Sequence, residues 1–395
     1  MLDKKIALLT YSTTSGGAAI AAERFYNNLS QQLKTITVYD QTALRGPLTR
    51  SEKFVIKIGR TLSQLFGIDL YSFDFGKRYL TDEIINAINQ HDIIVIHWAH
   101  FATLGIKDIE LFNKPTIFVA HDMFLLNGIT HYIAPTSGKK INPKLILEHI
   151  VIFLLKKRIK YHRKKITDLI DCINCPSTWL SNEFADIYPA LKHKVIPNYY
   201  PKLPDPLEQE QYTIFQNELP IICFAAYGIK DNNRKGYYKF RRIISEVLEN
   251  FPNINILIVG DDNVNVPRGT NVKLLGKLTP FELMSLLKIS DIYIHTASID
   301  NSPNIITEAK IMGAHVFAFN VGGISEQITN EEEGTLIGTN QTEEFTTKLI
   351  THIAHSIAFP KQRNRKPIWP KEKLDTENAH ITTKWMQLFD EIGDV

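Results

Sequence analysis

The chain has 395 residues, which is enough for two or three domains of ordinary size. Apolar residues make up 44% and charged residues 22%, a composition that excludes disorder over the bulk of the chain. The 45 Lys and Arg against 42 Asp and Glu leave a net charge of +3. This balance argues against a dedicated nucleic-acid binder, so we expect no nucleic-acid partner.

Cysteine usage and hydropathy bear on where the protein works. Three cysteines are too few for a disulfide framework and favour a reducing compartment. Cys172 and Cys175 have redox or zinc spacing, but without a second pair we interpret them as buried strand residues. No stretch approaches the roughly 20 apolar residues that span a bilayer, and the apolar run at the start is too short for a signal peptide. We therefore expect a cytoplasmic protein.

Short apolar runs alternate with helical patterns along the chain, which predicts βαβ units and parallel sheets. Runs this apolar are typical of parallel strands that are buried on both faces. Each half of the chain holds five of them, enough for one doubly wound domain. The predicted strands are 6–10, 36–39, 93–97, 116–120, 172–175, 221–226, 254–260, 272–275, 291–295 and 316–320.

A proline-rich segment separates the two halves. Residues 195–206 contain four prolines and precede an acidic stretch, as an interdomain linker does. We predict an α/β protein of two Rossmann-like doubly wound domains, 1–200 and 201–375, which face each other across a cleft. Residues 376–395 are expected to form a C-terminal helix that packs back on the first domain. Ligands in such folds bind at the carboxyl ends of the strands.

Glycines and histidines follow the strands of the first half. Gly16 and Gly17 precede a helix, whose N-terminus favours an anion; a plain strand–helix turn is the alternative. His97 ends one strand and His121 follows the next, so both are expected at one sheet edge. There an imidazole could deprotonate a hydroxyl or bind a phosphate, although a lone histidine is more often structural. Neither GxGxxG nor GxxxxGK[ST] occurs, which disfavours a nicotinamide dinucleotide or P-loop site.

In the second half, cations follow the strand 221–226. Lys230, Arg234 and Lys235 precede a helix, where cations and a helix N-terminus would jointly hold a diphosphate. A solvated surface loop is the alternative.

A carboxylate pair follows the strand 291–295. Asp300 lies in the loop and Glu308 about one turn into the next helix, so both could reach the hydroxyls of one ligand. By itself this spacing is a weak signal. Gly322 and Gly323 follow the next strand and allow close backbone approach to a phosphate or sugar.

Taken in order over residues 6–330, these pieces resemble the retaining GT-B glycosyltransferases of family 4. The likeness is greatest to bacterial enzymes that build capsule, exopolysaccharide or lipopolysaccharide. The matching pieces are Gly16-Gly17, His97-Trp98, His121-Asp122-Met123, Arg234-Lys235-Gly236, Asp300-Asn-Ser-Pro-Asn304, Thr307-Glu308-Ala309 and Gly322-Gly323.

The resemblance implies that the second domain binds a nucleotide-sugar donor. Glu308 would hold the ribose, and Lys235, with Arg234 or Lys230, would neutralise the diphosphate leaving group. Asp300, where the family more often has Glu, would lie near the donor sugar. Asn301, Asn304, Gly322 and Gly323 would complete the donor site.

The resemblance further implies that the first domain takes the acceptor. His121 would lie beside the donor sugar and acceptor, with Gly16, Gly17 and His97 bordering the acceptor or the diphosphate. His121, Asp300 and Lys235 are the expected catalytic residues. Fixed cations stabilise the charge that develops on a leaving diphosphate. There is no Asp-x-Asp, so we expect no metal and no cofactor.

One segment is strongly basic: residues 139–165 hold ten Lys or Arg against one Glu. Within it, Lys144–Lys165 combines an apolar run with a basic one, as in a helix that docks on an anionic membrane surface. This would suit a lipid-linked glycan acceptor and a peripheral place on the inner face of the cell membrane. A helix packed on the first domain with a solvated cationic face fits equally well.

The function expected from the resemblance is transfer of a sugar, with retention, from a nucleotide-diphosphate sugar to a glycan acceptor in bacterial polysaccharide synthesis. A nucleotide-sugar epimerase is one alternative; it would need acid–base carboxylates and no acceptor. A non-catalytic GT-B partner subunit is the other. Such a subunit is expected to lose donor-site residues, whereas Glu308 and Lys235 are both present.

Overall fold

The structure is a computed structural model of the chain. It describes residues 2–13, 16–44, 49–54, 57, 77–98, 103–127, 132, 165, 168–203, 214–228, 233–261, 264–360 and 369–393.

The chain divides into two compact units. The first consists of Met1–Tyr199 together with Asn378–Val395, and the second of Tyr200–Glu377. Each unit holds one six-stranded sheet whose paired strands all run parallel. The predicted α/β architecture of two Rossmann-like domains is confirmed.

The sheet of the first unit has the strand order β2-β1-β3-β4-β5-β6. Three of its strands, β3, β4 and β5, are buried along their whole length, as their apolar sequences predict. The strands are β1 Leu2–Thr10, β2 Leu33–Asp40, β3 Ile93–His97, β4 Thr116–Val119, β5 Cys172–Cys175 and β6 Lys192–Val195.

Two helices of the first unit begin at a side-chain cap. The Oγ1 of Thr81 accepts a hydrogen bond from the backbone N–H of Ile84, and the Oγ of Ser177 accepts one from Leu180. The helices are Gly17–Leu29, Gln41–Leu44, Asp82–Ile88, Ile106–Ile109, Phe124–Asn127 and Thr178–Ala185.

A long C-terminal helix, Lys371–Gly393, starts in the second unit and ends in the first. It begins earlier than the predicted helix. Its buried Trp385 ring lies edge-on to Phe25, with 4.9 Å between ring centroids. Glu391 pairs with Lys192 and with Lys194, each at 2.8 Å. The last turns of this helix therefore join the first unit through both apolar and ionic contacts.

The sheet of the second unit has the strand order β12-β11-β10-β7-β8-β9. Its strands are β7 Ile221–Ala226, β8 Asn255–Gly260, β9 Val272–Leu274, β10 Ile292–His295, β11 His315–Phe319 and β12 Gly334–Ile337. The helices of this unit are Tyr237–Asn250, Pro280–Ile289, Asn304–Met312, Ile324–Gln327 and Thr342–Ala358, and Asn233–Lys235 forms a 3₁₀ turn.

All ten predicted strands are present, and the structure adds β6 and β12. Both added strands lie at the edge of a sheet and are only partly buried. An edge strand does not need a continuous apolar run, because one side of it has no neighbouring strand. The hydrophobic pattern missed these two strands, although it found the other two edge strands, β2 and β9. Cys172 and Cys175 are free and buried in β5, as predicted.

The predicted basic segment Lys144–Lys165 lies outside the described residues except for Lys165. The Nζ of Lys165 is 2.7 Å from Oε1 of Glu110. Among the helices that the structure describes, none is both long enough and apolar enough to cross a membrane.

Candidate active site

Each sheet reverses its strand order at one place, between β1 and β3 in the first unit and between β7 and β10 in the second. The loops that leave the carboxyl ends of two such strands diverge to opposite faces of the sheet. This opens a crevice where ligands of doubly wound folds bind. The predicted site residues fall at these two places.

In the second unit, the loop after β7 is bonded to the loop after β10. Ser298 donates its backbone N–H to the carbonyl of Arg234 at 2.8 Å, and the Oγ1 of Thr296 donates to the carbonyl of Gly236 at 2.9 Å. Gly236 has a φ of +71°, and a Cβ there would overlap the carbonyl oxygen of Thr296. Glycine is therefore required for this close approach.

The loop after β11 contacts the loop after β10 at Asp300. Gly323 donates its backbone N–H to the carbonyl of Asp300 at 3.1 Å. Gly322 has a φ of +60°, and a Cβ there would overlap the Asp300 carbonyl oxygen. The close backbone approach that the structure shows is that of Gly322 to the Asp300 loop, while the approach to a phosphate or sugar stays a prediction.

Asp300 is the centre of this cluster. Its Oδ2 lies 3.1 Å from Nζ of Lys235 and 3.4 Å from Nη1 of Arg234, while its Oδ1 accepts the backbone N–H of Asn301 at 3.1 Å. Burial would raise the pKa of this carboxyl, but the charges of Lys235 and Arg234 hold the pKa well below its ordinary value. The Asp300 carboxylate is therefore ionised at neutral pH.

Glu308 lies in the helix Asn304–Met312, which follows this loop, and is 5% exposed. Asn304 is the first residue of that helix. Burial raises the pKa of Tyr293, and the negative charges of Asp300 and Glu308 raise it further. The two predicted carboxylates thus share a neighbourhood around the Tyr293 side chain.

The sequence analysis missed His295, the last residue of β10. It is 5% exposed, and its Nε2 lies 3.8 Å from Oδ2 of Asp300. Its position at the end of a buried strand is the same signal that identified His97, and it could have been found in that way.

In the first unit, His97 and His121 contact each other. His97 Nδ1 and His121 Nε2 are 3.2 Å apart, so one nitrogen donates and the other accepts. Burial lowers the pKa of His121 to about 4, against the opposing charge of Asp122. Burial and the neighbouring His121 lower the pKa of His97 well below its usual range. Both imidazoles are therefore neutral at pH 7.

Gly16 and Gly17 lie at the neighbouring strand of the same edge. In the register between β1 and β3, Thr10 is opposite His97, and the chain then runs on to Gly16. Gly16 has a φ of +96° and caps the helix Gly17–Leu29. Both glycines thus follow β1 at the switch point of the first sheet, and the neighbouring strand β3 ends in His97.

The residues that follow the two histidines are also bonded to each other. Trp98 donates its Nε1–H to Oδ2 of Asp122 at 2.8 Å, although its φ of +61° is unusual for a bulky residue. Gln41 donates its Nε2–H to the Trp98 carbonyl at 3.0 Å and accepts the hydroxyl hydrogen of Thr103 at 2.8 Å. These contacts hold a strained backbone in place beside the histidine pair.

The structure therefore assembles two groups of predicted residues, one in each unit. Arg234, Lys235 and Asp300 form direct contacts, and so do His97 and His121. Lys230 lies outside the described residues.

Comparisons with known proteins bear on this geometry. Residues 216–366, within the second unit, match the model of the family described as glycosyl transferases group 1. No curated protein matches the chain in sequence.

Among solved structures, the chain is similar to HepE from Anabaena in complex with UDP-glucose, with 14% identity over 97% of this chain and 100% of HepE, and a TM-score of 0.63. It is similar to sucrose-phosphate synthase from Thermosynechococcus elongatus, with 13% identity over 98% of this chain and 99% of that synthase, and a TM-score of 0.60. A glycosyltransferase from Rickettsia africae gives 15% identity over 99% of both chains and a TM-score of 0.53.

The structural likeness confirms the predicted GT-B fold over nearly the whole chain. The family match identifies the second unit as a glycosyl transferases group 1 domain. The protein is a glycosyltransferase, as predicted.

Proposed function

We propose that this glycosyltransferase moves a sugar from a nucleotide-diphosphate sugar to a glycan acceptor, with retention of anomeric configuration. One observation carries the proposal. Lys235 and Arg234 stand at the switch point of the second sheet, largely buried, on a turn that the loop after β10 holds in place. Two fixed cations at such a place suit a diphosphate that gains charge as it leaves.

The second unit supplies the donor site in this proposal. Lys235 and Arg234 neutralise the diphosphate, while Asp300 accepts hydrogen bonds from donor-sugar hydroxyls and Glu308 from the ribose. Asn301 and Asn304 complete the donor site together with Gly322 and Gly323. Support comes from HepE, a protein of similar fold whose solved complex contains UDP-glucose.

The first unit supplies the acceptor site in this proposal. His121 and His97 offer neutral imidazoles, which can donate or accept a hydrogen bond at an acceptor hydroxyl without placing a charge beside it. Gly16 and Gly17 border the acceptor or the diphosphate. The proposed reaction uses no metal, because the two cations of the second unit supply the positive charge.

The acceptor proposal extends to a lipid-linked glycan of bacterial polysaccharide synthesis, with the enzyme in the cytoplasm and peripheral to the membrane. The basic composition of Lys144–Lys165 supports this. Flotation with anionic and with neutral vesicles at low salt tests it. We expect binding to the anionic vesicles alone, and no binding to either contradicts the membrane part of the proposal.

Nucleotide binding tests the donor site. We would titrate the wild type, Lys235→Ala and Glu308→Ala with UDP, GDP, ADP and TDP by calorimetry. We expect one base to bind the wild type, with an affinity about 10-fold or more lower in Lys235→Ala, since a charge-assisted hydrogen bond contributes about 1.5–3 kcal/mol. Lys348→Ala is the matched control, because Lys348 forms an exposed ion pair with Glu344 on a surface helix.

Product analysis separates the remaining alternatives. Binding of no nucleotide to the wild type would contradict the donor site and favour a non-catalytic partner subunit. Isomerisation of a free nucleotide sugar without acceptor would favour an epimerase. Where transfer occurs, the one-bond C–H coupling at the anomeric carbon of donor and product decides between retention and inversion.

A further inference from the structure

His295 has an unusual position for a buried histidine. Its Nδ1 is 3.3 Å from the Tyr293 hydroxyl oxygen, but its Nε2 has no hydrogen-bond partner among the residues that the structure describes. This second nitrogen faces Oδ2 of Asp300 at 3.8 Å. A buried polar atom without a partner is rare enough to need an explanation.

The hydrogen bonds of Tyr293 favour one tautomer of the imidazole. The Tyr293 hydroxyl lies 3.4 Å from the carbonyl of Ala225, to which it can donate its only hydrogen. In that arrangement it accepts from His295, so Nδ1 of the imidazole carries the hydrogen. In the neutral ring, Nε2 then presents a lone pair to the Asp300 carboxylate. Two acceptors face each other, which explains why they stay 3.8 Å apart without a hydrogen bond.

Burial, more than the surrounding charges, keeps this imidazole neutral. Burial, together with the charges of Lys235 and Arg234, lowers the pKa of His295 to about 4, although the Asp300 carboxylate opposes this. The Tyr293 hydroxyl, itself close to Glu308 and Cys223, is uncharged because burial raises its pKa well above the usual value. The two cations therefore offset part of the effect by which the Asp300 carboxylate favours a proton on the imidazole.

A diphosphate would reverse that balance. Its negative charges would offset Lys235 and Arg234 and draw both cations from Asp300, leaving His295 beside a carboxylate with less positive charge around it. Both changes favour the imidazolium. A proton on Nε2 would make a charge-assisted hydrogen bond to Oδ2 of Asp300, in the direction in which the ring already points.

We propose that His295 is a positioning residue for Asp300. The His295 imidazole binds a proton when a nucleotide-diphosphate sugar occupies the site. It then holds the Asp300 carboxylate in the position in which Lys235 and Arg234 hold it in the free enzyme. The proposal rests on the proposed donor site. It adds a third group to the Asp300 carboxylate, one that acts only in the loaded enzyme.

Calorimetry in two buffers of different ionisation enthalpy counts the protons taken up on binding. The probe is UDP-glucose, or GDP-mannose where the nucleotide titrations select guanine, since the phosphates of a sugar nucleotide do not titrate near neutrality. For the wild type we expect net proton uptake between about pH 5.5 and 7, the range in which imidazoles titrate. Because protons are taken up, affinity should rise as the pH falls through this range.

Two variants separate proton binding from a structural role. His295→Gln keeps an N–H donor for Asp300 without titrating, so we expect binding and transfer to persist while proton uptake and pH dependence disappear. His295→Leu offers no donor, and we expect about a 10-fold loss of kcat/KM at all pH values, the loss of one charge-assisted hydrogen bond. His315 is the first residue of β11 and is hydrogen-bonded to Thr335. As a control, His315→Gln should keep the proton uptake of the wild type.

The outcomes are distinguishable. A wild type that binds neither sugar nucleotide overturns the proposed donor site and this inference with it. Binding with equal proton uptake in the wild type and His295→Gln overturns this inference alone. If His295→Gln does not fold, the imidazole ¹³C and ¹⁵N signals of His295 in the wild type decide: an imidazole that stays neutral in the complex overturns the inference.

Discussion

The two switch points of this protein have the same place in their sheets but opposite electrostatics. In the first unit, burial leaves His97 and His121 as a neutral pair, because neither has a carboxylate that outweighs its desolvation. In the second unit, Asp300 is equally buried yet stays ionised, because Lys235 and Arg234 contact it. The comparison teaches that the partner, and not the burial alone, decides the charge of a site. A charged diphosphate suits the second place, and an uncharged hydroxyl suits the first.

The backbone differs in the same way between the two units. In the second unit, the left-handed positions of the site are glycines, Gly236 and Gly322, for which this conformation costs little. In the first unit, Trp98 adopts a positive φ and is held by side-chain hydrogen bonds. The first site is therefore held by contacts that a substitution can remove, while the second depends on the space that its glycines leave.

The largest effect is expected for Gly322→Ala, which should destabilise the second unit and leave the first unit unchanged. Its methyl group would overlap the Asp300 carbonyl in a conformation that alanine avoids, at a cost of about 3 kcal/mol or more. Hydrogen exchange should become faster in β10 and β11 and stay unchanged in β3 and β4. Gly17→Ala is the control, since its methyl group meets open space. Wild-type exchange rates in Gly322→Ala would contradict the close approach.

Acid should weaken the first unit through its neutral histidines. The folded pKa of His121, about 4, lies below the ordinary value of 6.5, so the unfolded state binds more protons between these pH values. The neutral His121 thus contributes roughly 3 kcal/mol to the free energy of unfolding, at about 1.4 kcal/mol per pH unit. This contribution is complete above pH 6.5 and is lost as the pH falls. Hydrogen exchange in β3 and β4, corrected for intrinsic rates, should show that His121→Gln loses less protection on acidification than the wild type.

The matched control for this acid effect is His355→Gln, which removes an exposed histidine of the second unit. Its exchange in β3 and β4 should follow the wild type at each pH. An equal acid loss in His121→Gln and the wild type would contradict the neutral pair.

Asp300→Asn tests the ionised cluster of the second unit. We expect the free energy of unfolding to fall by about 2 kcal/mol near neutral pH, because two largely buried cations lose their counter-charge. The folded pKa of Asp300 is lowered, so its contribution is complete above the ordinary pKa and is lost as pH falls through the lowered one. The difference in Tm between variant and wild type should therefore narrow below about pH 4.

Asp390→Asn removes a carboxylate from an exposed ion pair with Lys4 and is the control for the buried cluster. Its Tm should stay close to that of the wild type, as for most surface ion pairs. A Tm difference in Asp300→Asn that does not depend on pH would contradict the ionised carboxylate.

The smallest effect is expected for Trp98→Phe, which removes the N–H bonded to Asp122 and keeps an aromatic ring. We expect a loss of about 1 kcal/mol, the value of one hydrogen bond, with a roughly 5-fold fall in kcat/KM for the acceptor. Nucleotide affinity should not change. Trp179→Phe, on the helix Thr178–Ala185, is the control. A loss of nucleotide affinity in Trp98→Phe alone would contradict separate roles for the two units.

The sequence predicted the strands that are buried on both faces, because a continuous apolar run is needed there, and also the edge strands β2 and β9. It did not predict β6 and β12, whose exposed side tolerates polar residues. It placed Asp300, Lys235 and Arg234 on loops that follow strands. It did not predict that Lys235 contacts Asp300, since these residues are 65 positions apart and meet because β7 and β10 are neighbours.

What the sequence determined by itself is the set of buried strands and the polar residues at their carboxyl ends, since hydrophobic periodicity and chain order are local properties. What only the tertiary structure decided is which of these residues meet: Asp300 contacts Lys235, His97 contacts His121, and His295 faces the Asp300 carboxylate. Protonation depends on the distance to a partner and on burial, and strand order sets both.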